Sequence, residues 1–440
     1  MHTWYGVVYS HNAIMTPKPK TQKMTPRTTC RISGDALVPL FSLGKLYLSD
    51  FIEHAETPKY EPVELRLSLS PESGLVQLTH TVPGDILYRK YWYKSGTNAT
   101  MTNELMGIAK KAQESMHLQA GDVFVDIGCN DGTLFRFVDK NIIRVGFDPN
   151  DYKKESRKHA DIIINNYFNH KEYKKTKYGH KKAKIITSIA MFYDLEDPGA
   201  FVSDIRKTLD QDGLWIIQMS YLPLMLEQLA FDNICHEHLE YYSLGSLQHL
   251  LQKHSMNIVD CELNDVNGGS FRIYVRHQHA NPATFATAPY RDVARMRVAS
   301  ILAHEKALGL GKKKIYMDFW KKINLLKEQV VDFVEREKKK GKTIWGYGAS
   351  TKGNTLLQWF GLDNTLVDAI AERSEAKYGL KTAGTNIPIK SEADMRKAKP
   401  DYLLVLPWHF IYEFKNRERD FLERGGKFIV PCPKFEIIGK

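Results

Sequence analysis

No two of the five cysteines (Cys30, Cys129, Cys235, Cys261, Cys432) form a C-x-x-C pair, and their number is odd. A disulfide framework is therefore not expected, and reduced thiols in a cytosolic-type compartment are. No apolar run approaches the roughly 20 residues that a membrane helix needs, so the chain reads as soluble, with no membrane partner. The zinc-protease order H-E-x-x-H is absent, as is the Gly-Lys-Ser/Thr of a Walker loop. Acidic side chains are missing from residues 1 to 34, which carry Lys18, Lys20, Lys23, Arg27 and Arg31. Organelle transit peptides share that bias, but Pro17, Pro19 and Pro26 would break the amphipathic helix such a peptide needs. The expectation is a flexible basic extension over 1–29 in a cytoplasmic protein.

What is present is a globular chain of 440 residues, 43% of them hydrophobic, long enough for two or three domains. A net charge of +11 and a pI near 9.1 favour anionic partners: nucleic acids, acidic membranes or nucleotide-linked metabolites. The basic runs at 170–184, 312–314 and 337–342 read as solvated loops and helix ends. No aromatic-rich strand pair accompanies them, so a nucleic-acid groove is not favoured.

The most informative stretch is VFVDIGCNDGTLFRF, followed about twenty residues on by VGFDPN. An apolar strand from Val123 to Ile127 enters a glycine turn with Gly128 and Gly132. A helical pattern and a second strand ending at Asp148 follow, the layout of a nucleotide-binding βαβ unit. Asp126 and Asp131 would repel a pyrophosphate in that turn, so the ligand should carry no phosphate there. S-adenosylmethionine meets the requirement, with Asp148 placed to accept its ribose hydroxyls.

Around this unit the chain divides into blocks. Residues 30–99 read as a small β-rich lobe. Residues 100–280 read as a domain with a parallel sheet and helices on both faces, carrying a helix-rich insert from 223 that ends in a turn and strand at NGGSFRIYVRH. A helical connector spans 281–340. A second α/β unit, 341–440, opens on KTIWGYGASTKGNTLLQWF, whose Ser350, Thr351 and Lys352 at a helix start suit a diphosphate.

Chemistry concentrates in DNICHEHLEYYS, where His236, Glu237 and His238 are adjacent. His-x-His spacing permits a metal, but no further ligands stand at identifiable spacing, and none is assigned. Acid/base work is the alternative, and it needs a proton to move. Carbon methylation supplies that need: a carbon beside a ketone must become an enolate, which requires a base and a donor for its oxygen. Glu237 and His238, with Tyr93 or Tyr91 as a phenolic donor, provide candidates.

Five blocks together resemble the sugar C-methyltransferases that act on nucleotide-linked 4-keto-deoxyhexoses with S-adenosylmethionine. They are DIGCNDGT (126–133), TSIAMFYDLEDP (187–198), ICHEHLEYYS (234–243), NGGSFRIYV (267–275) and GYGASTKGNTLL (346–357), in the family's order. The resemblance implies an N-terminal zinc-binding lobe, a central Rossmann-like class I methyltransferase domain and a C-terminal Rossmann-like domain. It implies cofactor contacts at Asp126, Gly128, Asn130, Asp131, Gly132 and Asp148, with Ser188 and Ala190 on the other side. The catalytic group it implies is Glu237 and His238, with His236 and Tyr93 beside them. Substrate contacts are expected from Tyr91, Asn267, Ser270, Arg272, Lys352 and Asn354. The chain departs from the family at the lobe, where two C-x-x-C pairs have become Cys30, Ser33, Ser70 and Ser73. Serine is a poor zinc ligand at neutral pH, so no zinc is expected. Two other functions stay open: an RNA methyltransferase, and an inactive methyltransferase-like assembly protein.

Overall fold

The computed structural model describes residues 26–89, 92–150 and 152–440, so Tyr91 and most of the 1–29 extension lie outside the described residues. Three sheets organise the chain. The central one has seven strands in the order 256–264, 270–277, 209–220, 183–189, 123–127, 143–147, 162–164. The last five run parallel, and Ser270–His277 is antiparallel to both of its neighbours. The five strands expected from the sequence rhythm do run parallel, and the strand expected at NGGSFRIYVRH is present; the correction is that the insert from 223 also carries Met256–Asn264, so it is not chiefly helical and the sheet is mixed at that edge. Met256–Asn264 and Ser270–His277 are strands of nine and eight residues that complete the sheet edge.

The nine-residue strand was masked by its polar residues Asn257, Asp260, Glu262 and Asn264, of which Asp260 is a fully buried carboxylate. It accepts from Arg297 at 2.7 Å and from the Tyr290 hydroxyl at 2.6 Å, both on the helix Ala288–Leu308. A buried charge is tolerated when paired and hydrogen-bonded in this way. The expected connector is thus two helices with different allegiances. Ala288–Leu308 packs on the central sheet and ends at Gly309 in left-handed conformation. Lys313–Lys339 buries Phe319, Ile323, Leu326, Val330 and Val334, at helical spacing, in a core shared by the lobe and the C-terminal domain. Each such side chain contributes about 1.5–3 kcal/mol when fully buried.

The C-terminal domain holds a six-stranded sheet in the order 389–391, 369–372, 344–347, 402–405, 427–430, 436–438, parallel except for the last strand. The lobe is a four-stranded antiparallel sheet whose first three strands are Val38–Leu46, Val63–Leu69 and Val76–Leu78. Its fourth strand is Glu240–Tyr241, from the acid/base segment itself. A second small sheet joins Phe51–Ile52 of the lobe to Lys381–Thr382 of the C-terminal domain. The lobe therefore borrows its fold from both larger domains.

The four positions at which the resemblance implies cysteine pairs, Cys30, Ser33, Ser70 and Ser73, do converge. Cys30 Sγ lies 3.3 Å from Ser73 Oγ, Ser73 donates to Ser70 at 2.8 Å, and Ser33 and Ser70 Oγ stand 3.2 Å apart. Asp35 accepts from Ser70 at 2.7 Å and also from Ser33. Hydroxyl hydrogen bonds thus close the knuckle where thiolates would bind metal. Among the described residues no helix is long and apolar enough to cross a membrane.

Candidate active site

The buried strand Val123–Ile127 delivers Asp126 to the mouth of the glycine turn. The turn needs left-handed backbone at Gly128, Asn130 and Gly132, with φ of 74°, 50° and 77°. At Gly132 a Cβ would sit 2.8 Å from Ser156 Cα, so only glycine fits both the conformation and the space. Asp148, ending the next strand, accepts from the Asn130 amide at 2.7 Å and the Asn150 amide at 2.9 Å. Asp126 accepts from the Thr187 hydroxyl at 2.6 Å. Burial, with a smaller push from the Asp148 charge, raises Asp126 to about 7. Burial also raises Asp148.

These groups open onto a cavity of about 920 Å³. Asp126, Gly128, Asn130, Asp148 and Ala190 line it from the central sheet, and Tyr93 from the segment after the lobe. Glu237 and His238 line it from the acid/base segment, Asn267 from the turn before the edge strand, and Lys352 from the C-terminal domain. Ten of the expected site residues therefore share one cavity formed by three parts of the chain.

The other described candidates do not line it. Asp131 instead fastens the turn, accepting from the Gly96 amide at 2.9 Å and the Thr133 hydroxyl at 2.7 Å. Gly132 packs on Ser156. Ser188 is fully buried and accepts from the Trp215 indole at 3.1 Å. Ser270 donates to the Val266 carbonyl at 2.8 Å. Arg272 is held by Glu104 at 2.6 Å and Gln218 at 2.9 Å. Asn354 donates to the Asp50 carbonyl at 3.3 Å, and His236 Nε2 meets the Val63 carbonyl at 3.0 Å. The last two contacts tie the C-terminal domain and the acid/base segment to the lobe.

The electrostatics of the remaining pair are informative. His238 Nδ1 lies 2.9 Å from the Asn233 carbonyl, which only accepts, so Nδ1 carries the proton and Nε2 keeps its lone pair. Burial, then the nearby Lys352 cation, hold His238 down to about 3, hence neutral. Burial pushes Glu237 up to about 7, and its Oε2 has no hydrogen-bond partner among the described residues. Ser350 and Thr351, named with Lys352 for a diphosphate, also line the cavity, as do residues without a motif signal of their own: Tyr88, Asp194, Cys235 and His409. Asp194 was legible only as part of the block TSIAMFYDLEDP, where nothing in its spacing distinguishes it from Glu196 or Asp197.

The donor set fits S-adenosylmethionine. Two buried carboxyls suit its positive groups and ribose diol, and Gly128 leaves the cavity wall open where a Cβ would stand 3.1 Å from the Met191 side chain. Asp126, Asp148, Gly128 and Asn130 are the residues that would hold it.

Comparison with known proteins agrees. Residues 100–260 match a family model described as a methyltransferase domain, and residues 265–433 match the C-methyltransferase C-terminal domain. The C-methyltransferase NovU of Streptomyces niveus is 30% identical over 368 residues, which cover 83% of this chain and 85% of NovU. Among solved structures, the mitomycin 7-O-methyltransferase MmcR has 13% identity and a TM-score of 0.32, covering 41% of this chain and 55% of its own. The plantazolicin methyltransferase BpumL, in complex with SAH, has 12% identity and a TM-score of 0.31, covering 39% and 82%. At those scores the two structures add nothing to the assignment, which rests on the family models and NovU. The chain belongs to the S-adenosylmethionine-dependent C-methyltransferases, the family to which its five sequence blocks point.

Proposed function

We propose that this protein methylates a carbon next to the ketone of a nucleotide-linked keto-deoxysugar in the cytoplasm. The observation that carries the reading is the shared cavity: a neutral imidazole with a free lone pair and a buried carboxyl open onto the same space as Asp126 and Asp148. At about 920 Å³ the space sits near the top of the roughly 300–1,000 Å³ range of small-ligand pockets, which leaves room for a second ligand.

Bound S-adenosylmethionine supplies an electrophilic methyl group on a sulfonium. The chain's own residues do the rest. His238 Nε2 takes the proton from the carbon next to the ketone, and Glu237 lies beside it as a hydrogen-bonding carboxyl. Tyr93 stands in the same cavity as a phenolic donor. Ser350 and Lys352, at the start of the helix Thr351–Phe360, offer a hydroxyl, a cation and the positive end of the helix to a diphosphate. A diphosphate near Lys352 offsets the cation that depresses His238, so the base strengthens as substrate arrives. The five cysteines are free thiols, in keeping with a reducing compartment.

Incubation with methyl-labelled cofactor and a panel of nucleotide ketosugars tests the reading. Label on a sugar carbon supports it; label on RNA, or turnover unaffected by Glu237→Gln and His238→Asn, overturns it.

A further inference from the structure

A buried carboxyl outside the expected catalytic pair stands next to it. Asp194 ends the short helical turn Phe192–Asp194 after the fourth strand of the parallel set, and it lines the cavity with Glu237 and His238. The two segments are stitched together. The Leu239 amide donates to the Tyr193 carbonyl at 2.8 Å, and the Tyr193 ring lies 4.3 Å from the His238 imidazole. The Tyr88 hydroxyl donates to the Glu237 carbonyl at 2.8 Å and also reaches the Asp194 carboxyl.

Within this frame Asp194 Oδ1 and Glu237 Oε2 are both buried, and neither has a hydrogen-bond partner among the described residues. Two adjacent buried carboxylates repel strongly and leave acceptors unpaired, whereas one proton shared between them removes a charge and satisfies both. Burial first, and then the Glu237 charge beside it, push Asp194 well above the usual carboxylate range, with Glu240 acting in the same direction. The other titratable groups facing the pair are Tyr88, Cys235, Tyr241 and Asp50, with Lys352 acting on His238 and Cys235. None of these supplies a positive charge to Asp194.

We propose that Asp194 and Glu237 form a carboxylic acid–carboxylate pair that holds one proton and lends it to the substrate's ketone oxygen. The second half of this statement rests on the ketone-bearing substrate proposed above. The balance is simple. His238 Nε2 takes the carbon-bound proton, the C–H electrons become the enol double bond, and the pair's proton moves to the oxygen. When the carbon gains its methyl group, the enol electrons form the new C–C bond, the methyl–sulfur bond breaks with its electrons left on the departing thioether, the oxygen's proton returns to the pair, and the proton on His238 leaves to solvent.

Asp194→Asn and Asp194→Glu test this with three readouts. The first needs no substrate: infrared difference spectra of aspartate-labelled protein at pH 7, taken in an Asp126→Asn background because Asp126 is itself partly protonated there, should show a carboxylic acid carbonyl component that Asp194→Asn removes and Asp194→Glu moves to the glutamate frequency. The second is exchange of the hydrogen next to the ketone in heavy water, with S-adenosylhomocysteine bound. Asp194→Asn should slow it roughly a hundredfold or more, as expected for loss of a general acid. The third is the pH profile of methyl transfer, whose high-pH limb in the unaltered protein should vanish in Asp194→Asn and return in Asp194→Glu. Affinity for S-adenosylhomocysteine within twofold of the unaltered protein marks a folded variant, and Asp194→Glu serves if the asparagine variant does not fold. An acid band no weaker in Asp194→Asn than in the unaltered protein, with Asp126 replaced by Asn in both, overturns the shared proton, whatever the substrate. An unchanged exchange rate overturns its delivery to oxygen. An unaltered protein that shows the Asp194 band but exchanges no hydrogen on any nucleotide ketosugar overturns the substrate reading and leaves the pairing standing.

Discussion

Asp126 is 4% exposed at the end of a buried strand, where burial and Asp148 bring it to about 7, so its charge at neutral pH depends on what binds beside it. Its fraction ionised rises from roughly one tenth at pH 6 to roughly nine tenths at pH 8. A positive group about 5 Å away, at an effective dielectric of about 20, attracts the ionised form by roughly 3 kcal/mol. That exceeds the roughly 1.4 kcal/mol equivalent to a tenfold preference, so S-adenosylmethionine selects the ionised protein. Affinity by titration calorimetry should therefore be about tenfold tighter at pH 8 than at pH 6, with about half a proton released per binding event at pH 7. Asp126→Asn should flatten the dependence. The ligand-free protein should show the reverse trend in stability. A carboxyl raised from 3.8 to about 7 contributes roughly 4 kcal/mol that is fully present below the unfolded value and is lost as pH rises through about 7. Affinity that is flat between pH 6 and pH 8, or tighter at low pH, would refute the placement of the cofactor's positive charge beside Asp126.

Three further outcomes follow from other parts of the fold. Ser33→Cys, Ser70→Cys and Ser73→Cys together with Cys30 should create a tetrahedral thiolate site that binds zinc and raises the melting temperature in a chelator-sensitive way, whereas chelators should leave the unaltered protein's melting temperature unchanged. A triple variant without metal content would contradict that. Gly132→Ala, strained at φ 77° and 2.8 Å from Ser156 Cα, should lower stability in urea unfolding by about 1–3 kcal/mol, and a loss within experimental error would count against the turn geometry. Glu237→Gln and His238→Asn should each cut methyl transfer by roughly 10²–10⁴ while leaving S-adenosylhomocysteine affinity within threefold, measured by single-turnover kinetics and calorimetry.

Much of the architecture was legible because its signals are local. The strand Val123–Ile127, its glycine turn and Asp148 are contiguous in sequence, and the second glycine turn announces the C-terminal sheet in the same manner. The strand Met256–Asn264 was not, because Asn257, Asp260, Glu262 and Asn264 interrupt its apolar pattern and the Arg297 that compensates buried Asp260 lies 37 residues on. Lobe placement was equally hidden, since its fourth strand is two residues long and comes from Glu240–Tyr241. Within the site, turn chemistry and the Glu237–His238 juxtaposition could be read directly. Ser188, Ser270, Arg272 and Asn354 could not be sorted from true cavity residues, because in a strand or helix one position decides whether a polar side chain faces the cavity or a buried partner such as Trp215 or Glu104. Asp194 had no signal of its own; only the backbone bond from Leu239 to Tyr193 brings it beside Glu237.

The central claim is that a carbon made nucleophilic by the Glu237–His238 segment receives the methyl group. The most direct measurement is carbon-13 NMR of the product formed from methyl-labelled S-adenosylmethionine and a nucleotide-linked ketosugar. The account predicts a methyl resonance coupled to a sugar carbon, with loss of the hydrogen formerly on that carbon. A methyl resonance in the methoxy or N-methyl region, with that hydrogen retained, would contradict it.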